Sequence, residues 1–234
     1  MFEADTNIVG AKLLVGNELV EAGISLEEGK ILKIGKEPNL PKAEQTHDVK
    51  GLLASPGLID AHVHLRDLQL SYKEDFFTGT CAAAAGGFTT VLDMPNNIPP
   101  TNSAGNLRLR RDAAISKIVV NVGFHGALLD DQEEARRMRA MGVCSFKLYL
   151  NDPKPSMNID DDSVILSALS NCASIDVPVT VHAEDRTSIE RRLKGFEGKP
   201  LGFDGYTNVH SPSVELMAIK RILELGASSG AHLH

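Results

Sequence analysis

Cysteine is scarce in this chain of 234 residues: three thiols, at positions 81, 144 and 172. An odd number at wide spacing excludes a disulfide framework and a zinc-knuckle pattern, and it suits a reducing, cytoplasmic compartment. Cys81 and Cys144 lie in apolar runs and are expected to pack. No apolar run approaches the roughly 20 residues a membrane helix needs. The opening Met-Phe-Glu-Ala-Asp carries acid where a secretory leader carries base, so no signal peptide is expected. There is no basic stripe, and the formal net charge is −7, which argues against nucleic acid as a partner. An anionic substrate would have to be held by local cations against that field.

What is present is ordinary globular composition, long enough for one large domain or two small ones. Residues 1–54 read as β, with short runs over 8–15, 19–26 and 31–34 separated by Gly16-Asn17 and Glu28-Gly29. Residues 38–45 read as a polar, proline-containing connector, and His47 after it as a solvated loop residue. From residue 55 the pattern alternates. Strands are expected over 57–64, 88–93, 118–124, 143–149 and 177–182. Helices are expected over 73–85, 102–116, 130–141, 160–173 and 211–225. Gly86-Gly87 ends the first helix, and Thr101, Asn102 or Ser103 can cap the second. Acid at 130–131 and base at Arg136, Arg137 and Arg139 complement the dipole of the third. Such β-α repeats predict a parallel sheet with right-handed crossovers and strands apolar on both faces. Residues 231–234 begin a sixth strand. A closed eight-stranded barrel takes about 250 residues. The expectation is therefore an α/β fold, an incomplete (β/α)8 barrel over 55–234 behind a small β domain over 1–54.

Chemistry in such a barrel gathers at the C-terminal ends of the strands. The first end is Ser55-Pro-Gly-Leu-Ile-Asp-Ala-His-Val-His-Leu-Arg66. Side chains at i and i+2 of a strand point the same way, so His62 and His64 leave one face together and can bind a borderline-soft ion such as Zn²⁺. Asp60 and Arg66 share their parity. An isolated His-x-His is a weak signal; one closing an apolar strand that starts at Pro-Gly is stronger. The second end is Asp93-Met-Pro-Asn-Asn97, where Asn96 forms a turn or offers its amide to a carboxylate or ureide. The third is His125, flanked by Gly123 and Gly126, read as a pocket wall in preference to a ligand. The fourth is Lys147, inside Phe146-Lys-Leu-Tyr-Leu150. A lone lysine in an apolar strand is costly. It either snorkels at a strand edge or faces a metal site, where the neutral amine can take up carbon dioxide and become a bridging carbamate. The fifth is His182 with Glu184, a ligand in preference to a satisfied core histidine. His210 reads as a loop residue before the last helix.

Together these segments resemble the amidohydrolase superfamily, and within it the dihydroorotase family of the long, two-domain type. The resemblance rests on Pro56-Gly-Leu-Ile-Asp-Ala-His-Val-His-Leu-Arg66, Lys73-Glu-Asp-Phe, Gly79-Thr, residues 82–96, Phe146-Lys-Leu-Tyr149 and Val181-His-Ala-Glu184. It implies a metal-dependent barrel with a small β-sandwich closed by C-terminal strands. It also implies reversible hydrolysis of dihydroorotate to N-carbamoyl-aspartate, a step of pyrimidine biosynthesis, by a cytoplasmic homodimer or larger homo-oligomer. His62 and His64 would bind one of two divalent metals, zinc being the expected identity. Lys147, N6-carboxylated, would bridge to the second, held by His182. Arg66 and Asn96 would hold the carboxylate of a small anionic substrate. The family's sixth-strand histidine and its catalytic eighth-strand aspartate would fall beyond residue 234, and neither His232 nor His234 fills the gap. Residues 1–234 alone are accordingly expected to be inactive. One departure bears on the substrate: Asp67-Leu-Gln-Leu stands where many dihydroorotases have Glu-Pro-Gly. A hydantoinase- or allantoinase-type cyclic amide hydrolase is the alternative. A non-catalytic scaffold is disfavoured because every ligand position within these residues is filled.

Overall fold

The computed structural model describes residues 3–152, 157–198 and 200–234; Met1 and Phe2 of the acidic N-terminus lie outside them. Backbone contacts divide the chain into two compact units, Met1–Gly57 and Leu58–His234.

The first unit holds β1 (Ala4–Val15), β2 (Glu18–Glu27), β3 (Lys30–Gly35), β4 (Ala43–Asp48) and β5 (Leu53–Ala54). Its sheet runs β3-β2-β1-β4, with β5 also on β1. The β1–β2 and β2–β3 pairs are antiparallel; β4 and β5 run parallel to β1. Strand β4 corrects the sequence reading, which has a polar connector there. Its residues, Ala-Glu-Gln-Thr-His-Asp, are exposed after Ala43, so no apolar alternation marks the strand and backbone pairing alone defines it. His47 is thus an exposed strand residue beside Ile8, not a loop residue.

The second unit alternates β6 (Leu58–Val63), α1 (Phe76–Ala85), β7 (Phe88–Asp93), α2 (Ala104–Ala114), β8 (Asn121–Ala127), α3 (Gln132–Ala140), β9 (Ser145–Tyr149), α4 (Asp162–Ser174) and β10 (Val179–His182). It ends with α5 (Arg186–Leu193), α6 (Gly202–Val209) and α7 (Pro212–Ser229). The sheet order is β10-β9-β8-β7-β6, every pair parallel, as repeated βα units require. Leu233 bridges Val179 in parallel, and Val181 N donates to His234 O (2.9 Å), so the expected sixth strand begins where the pattern puts it. The result is an incomplete α/β barrel. Its core runs from Phe76 and Leu107 through Met138, Phe146 and Leu148 to Ile165, Leu169 and Val179, all buried. Each such side chain contributes on the order of 1.5–3 kcal/mol.

The helices begin one to three residues later than their apolar patterns predict, at capping side chains. Asp75, Ser103, Asp131 and Asp161 accept from the amides of Thr78, Asn106, Glu134 and Ser163. Each cap contributes about 1 kcal/mol. Three further findings depart from the sequence reading. Helices α5 and α6 occupy a stretch with no clear apolar period. Strand β6 is the edge strand among the described residues and is not buried on both faces: Leu58 is 50% exposed and Ile59 66%. Strand β8 sits three residues later than expected, which puts His125 inside the sheet and not on a loop.

Candidate metal and anion site at the strand ends

His62 lies on β6 and His64 just beyond it, with ring centroids 5.4 Å apart, as the i, i+2 spacing requires. Lys147 comes from β9 and His182 ends β10. The register pairs Lys147 with Thr180, and Ser145 Oγ lies 3.4 Å from Thr180 Oγ1, so one face of β9 and β10 stacks Ser145 with Thr180 beneath Lys147 and His182. His62 feels the charges of the other three candidate ligands. Burial lowers the pKa of His62 from its ordinary value, the charges of Lys147, His64 and His182 lower it further, and Asp60 opposes them. Burial also lowers that of His64, helped by Arg66 and opposed by its hydrogen bond to Asn96. Both imidazoles are thereby biased to the neutral form that a metal requires.

Lys147 is only 4% exposed. Among the described residues no hydrogen bond or ion pair to its ammonium is found; its Nζ lies 5.3 Å from the centroid of the Tyr149 ring. It does not snorkel to an edge. Burial pulls its pKa below the ordinary lysine value, which favours the neutral, nucleophilic amine.

Hydrogen bonding sorts the histidines. His64 Nδ1 donates to Asn96 Oδ1 (2.8 Å), leaving Nε2 for another partner. His182 Nε2 donates to Glu184 Oε2 (2.6 Å), leaving Nδ1. Ligand histidines have this pattern, with one nitrogen oriented by an oxygen and the other presented. His125 does not: it is 2% exposed, with Nδ1 on Ser145 Oγ (2.5 Å) and Nε2 on Ala61 O (3.0 Å). It ties β6 to β9 across the sheet as a satisfied core residue. The donor set suits a divalent metal only if Lys147 is part of it. Among the described residues no three His, Cys, Asp or Glu side chains are placed to hold an ion by themselves.

Arg66 reaches the site by a different route from the strand parity that predicts it. Strand β6 ends at Val63, and Arg66, Asp67 and Leu68 have φ of 54, 53 and 49°, three consecutive residues at positive φ. The turn brings Arg66 Nη1 to Asn96 O (3.2 Å). Asp67, in the stretch that departs from the family pattern, faces away from this site: its carboxylate accepts from Phe76 N (3.0 Å), Leu68 N (2.5 Å) and Lys117 Nζ (2.9 Å). Asn96 and Lys147 also line a small cavity of ≈ 60 Å³, walled further by Tyr149, Leu128, Met157 and Ile159. Burial pushes the Tyr149 phenol up to about 12, so it remains protonated.

Sequence reasoning places Glu184 beside His182 but does not find the relay behind it. Glu184 accepts from Asn151 Nδ2 (2.7 Å) and His210 Nδ1 (2.6 Å) as well as from His182. His210, which reads as a loop residue, is the outer end of that relay and stacks on Tyr206 at 4.4 Å. Its short sequence distance from a helix start gives no hint of a carboxylate 26 residues away.

Comparison with known proteins agrees with the fold. The sequence profile of the Amidohydrolase family matches residues 53–233. The chain is 33% identical to a dihydroorotase of Methanosarcina acetivorans over 94% of its own length and 47% of that protein's. It is 35% identical to an allantoinase of Arabidopsis thaliana, over 97% of this chain and 48% of that one. Among solved structures, an L-hydantoinase (dihydropyrimidinase) from Arthrobacter aurescens superposes with a TM-score of 0.91 at 26% identity, over 100% of this chain and 52% of that one. The chain spans about half the length of the curated relatives it matches, 47% and 48% of the two named.

Proposed function

Because the chain belongs to the amidohydrolase family, we propose that it serves the hydrolysis of a small cyclic amide, with dihydroorotate, reversibly opened to N-carbamoyl-aspartate, as the substrate. The observation that carries this reading is the meeting of His64 and Arg66 on Asn96, His64 Nδ1 donating to its side-chain oxygen and Arg66 Nη1 to its carbonyl, beside His62, which feels the charges of Lys147 and His182. An arginine fork beside an amide suits a planar carboxylate better than a lysine would.

The family is metal-dependent, and His62, His64, Lys147 and His182 are the residues that would hold two divalent ions, zinc by the borderline softness of imidazole. Such ions supply Lewis acidity and lower the pKa of water. The chain's own residues do the rest. Lys147 as the neutral amine adds to carbon dioxide and releases a proton, leaving an N6-carboxylate. Asn96 and Glu184 fix the ring orientations of His64 and His182. Arg66 and Asn96 orient the substrate through its carboxylate, which places the scissile carbonyl against the donors.

A second reading has a specific observation behind it. The Arabidopsis allantoinase is as similar to the chain as the dihydroorotases are, and Asp67-Leu-Gln-Leu departs from the dihydroorotase pattern. Turnover of dihydroorotate, hydantoin and allantoin by the complete chain decides between them: dihydroorotate is expected to have the highest kcat/KM, and preference for allantoin would transfer the assignment. The Arg66→Ala variant is expected to raise KM for dihydroorotate about 10–100-fold with metal content unchanged. A normal KM would remove Arg66 from the substrate site. Three cysteines with no disulfide fit a cytoplasmic enzyme, and light scattering of the complete chain tests for a homodimer or larger assembly.

A further inference from the structure

One buried ion pair has no part in the chemistry above. Arg110, on α2, has no exposed surface, and Asp93, at the end of β7, is 1% exposed; Arg110 Nη2 lies 2.5 Å from Asp93 Oδ2. Desolvating two such charges costs enough that an apolar pair of equal volume fills a core at least as well. What distinguishes this pair is where its remaining hydrogen bonds go. Asp93 Oδ1 accepts from Leu65 N (2.8 Å), and Arg110 Nη1 donates to the carbonyl of Arg66. The ring of Phe76 lies against the guanidinium, 4.4 Å from centroid to Cζ, and closes it off from water. The pair therefore grips the main chain on both sides of the Leu65–Arg66 peptide, where the run of positive φ begins. Residues with a β-carbon adopt that conformation only where the surroundings enforce it.

We propose that Arg110 and Asp93 are positioning residues for substrate selection: by holding the Arg66 backbone at positive φ they deliver its guanidinium to Asn96, where it meets the anionic group of a carboxylated cyclic amide. This rests on the reading of Arg66 as the carboxylate contact. Arg110 itself, fully buried, touches no substrate. The Asp93 bond holds the amide that follows His64, whereas the Arg110 bond, to the Arg66 carbonyl, bears on the arginine, so Arg110 acts on binding of the anion and not on the bond-breaking step.

The test uses the complete chain with metal bound, and measures kcat and KM for dihydroorotate and for hydantoin, which has no carboxylate, together with metal content. Asp93→Asn and Arg110→Ala are expected to raise KM for dihydroorotate about 10–100-fold, as a displacement of about 1 Å does. For Arg110→Ala the kcat, metal content and KM for hydantoin should stay within about threefold of the parent. Added guanidinium ion should return the KM of Arg110→Ala toward the parent value. If Arg110→Ala does not fold, Arg110→Lys carries the same expectation. Equal KM shifts for both substrates would mean a purely structural pair and overturn the proposal. A raised KM in Arg66→Ala with unchanged KM in the Asp93 and Arg110 variants overturns it alone, leaving the substrate reading intact. An unchanged KM in Arg66→Ala overturns both.

Discussion

The two walls of the site are held in different ways. At the first-strand end, His64 and Arg66 sit in a loop whose backbone is irregular, and the groups that fix it bond to main-chain atoms: Asp93 to Leu65 N, Arg110 to Arg66 O, the Asp67 carboxylate to Phe76 N. At the fifth-strand end, His182 still belongs to a regular strand, and its support runs side chain to side chain, through Glu184 to His210 and Asn151. A strand carries its own backbone partners, so only the ring orientation remains to be set. A loop at positive φ has no such ladder and must be pinned peptide by peptide. Accordingly, the first wall depends on buried charge, and the second on a carboxylate that is 12% exposed at the side chain.

The largest expected effect falls on the residue between the walls. Lys147→Met removes the amine that would bridge them, and turnover of the complete chain should fall at least about 10³-fold, with loss of bound metal. In the metal-free chain the same change replaces a buried amine with no hydrogen-bond partner among the described residues by an apolar chain of similar length, so the melting temperature of the metal-free form should hold or rise. A variant that keeps its metal, or melts well below the parent, would show that Lys147 is paired in a way this geometry does not contain.

The second wall is tested by Glu184→Gln. Its carboxyl is raised by burial, but the hydrogen bonds from His182 and His210 outweigh this and hold it below the ordinary carboxylate value, so it accepts as an anion. Replacing it should weaken metal binding about 10–100-fold, the usual size of such an outer contact. The loss should be confined to one of the two ions, as read by titrating metal into the apoprotein. Equal weakening of both would deny that the walls are independent.

The strand ends were legible in the sequence because an apolar run ending in a polar residue is a local signal. Residues 88–93 match strand β7 to the residue, His182 ends its strand as expected, His64 follows the last residue of β6, and His62 and Lys147 lie one and two residues inside the ends of β6 and β9. The supports were not legible. Arg110 reads as one of several charges on the polar helix Arg-Leu-Arg-Arg, and nothing local reveals that it is buried against a residue 17 positions away. Strand parity predicted that Arg66 shares the face of His64, yet it arrives through a turn of positive φ that carries no glycine to mark it in the sequence. Helix α5 had a readable cap in Asp185, which accepts from Ser188 N (2.8 Å), but its face of Arg-Thr-Ser-Ile-Glu-Arg-Arg-Leu offers too little apolar period to outweigh its charge.

The smallest effect expected here tests the first wall through pH. Burial raises the Asp67 carboxyl, but bonds from Phe76 N, Lys117 and Leu68 N outweigh it, and its pKa in the fold lies below the ordinary value. The folded chain then binds fewer protons than the unfolded one between those two values. The stability Asp67 supplies is therefore complete above about pH 4, the unfolded carboxylate value, and is lost as pH falls through the lower folded value. Asp67→Asn should cost about 1–3 kcal/mol at neutral pH, because the amide accepts fewer of these bonds and leaves the ammonium of Lys117 unpaired. The gap in melting temperature between parent and variant should narrow as pH is lowered from 5 to 2. A gap that stays constant over that range would mean the carboxylate holds the loop by shape alone, and the contrast between a charge-pinned wall and a relay-oriented one would then rest on Asp93 and Arg110.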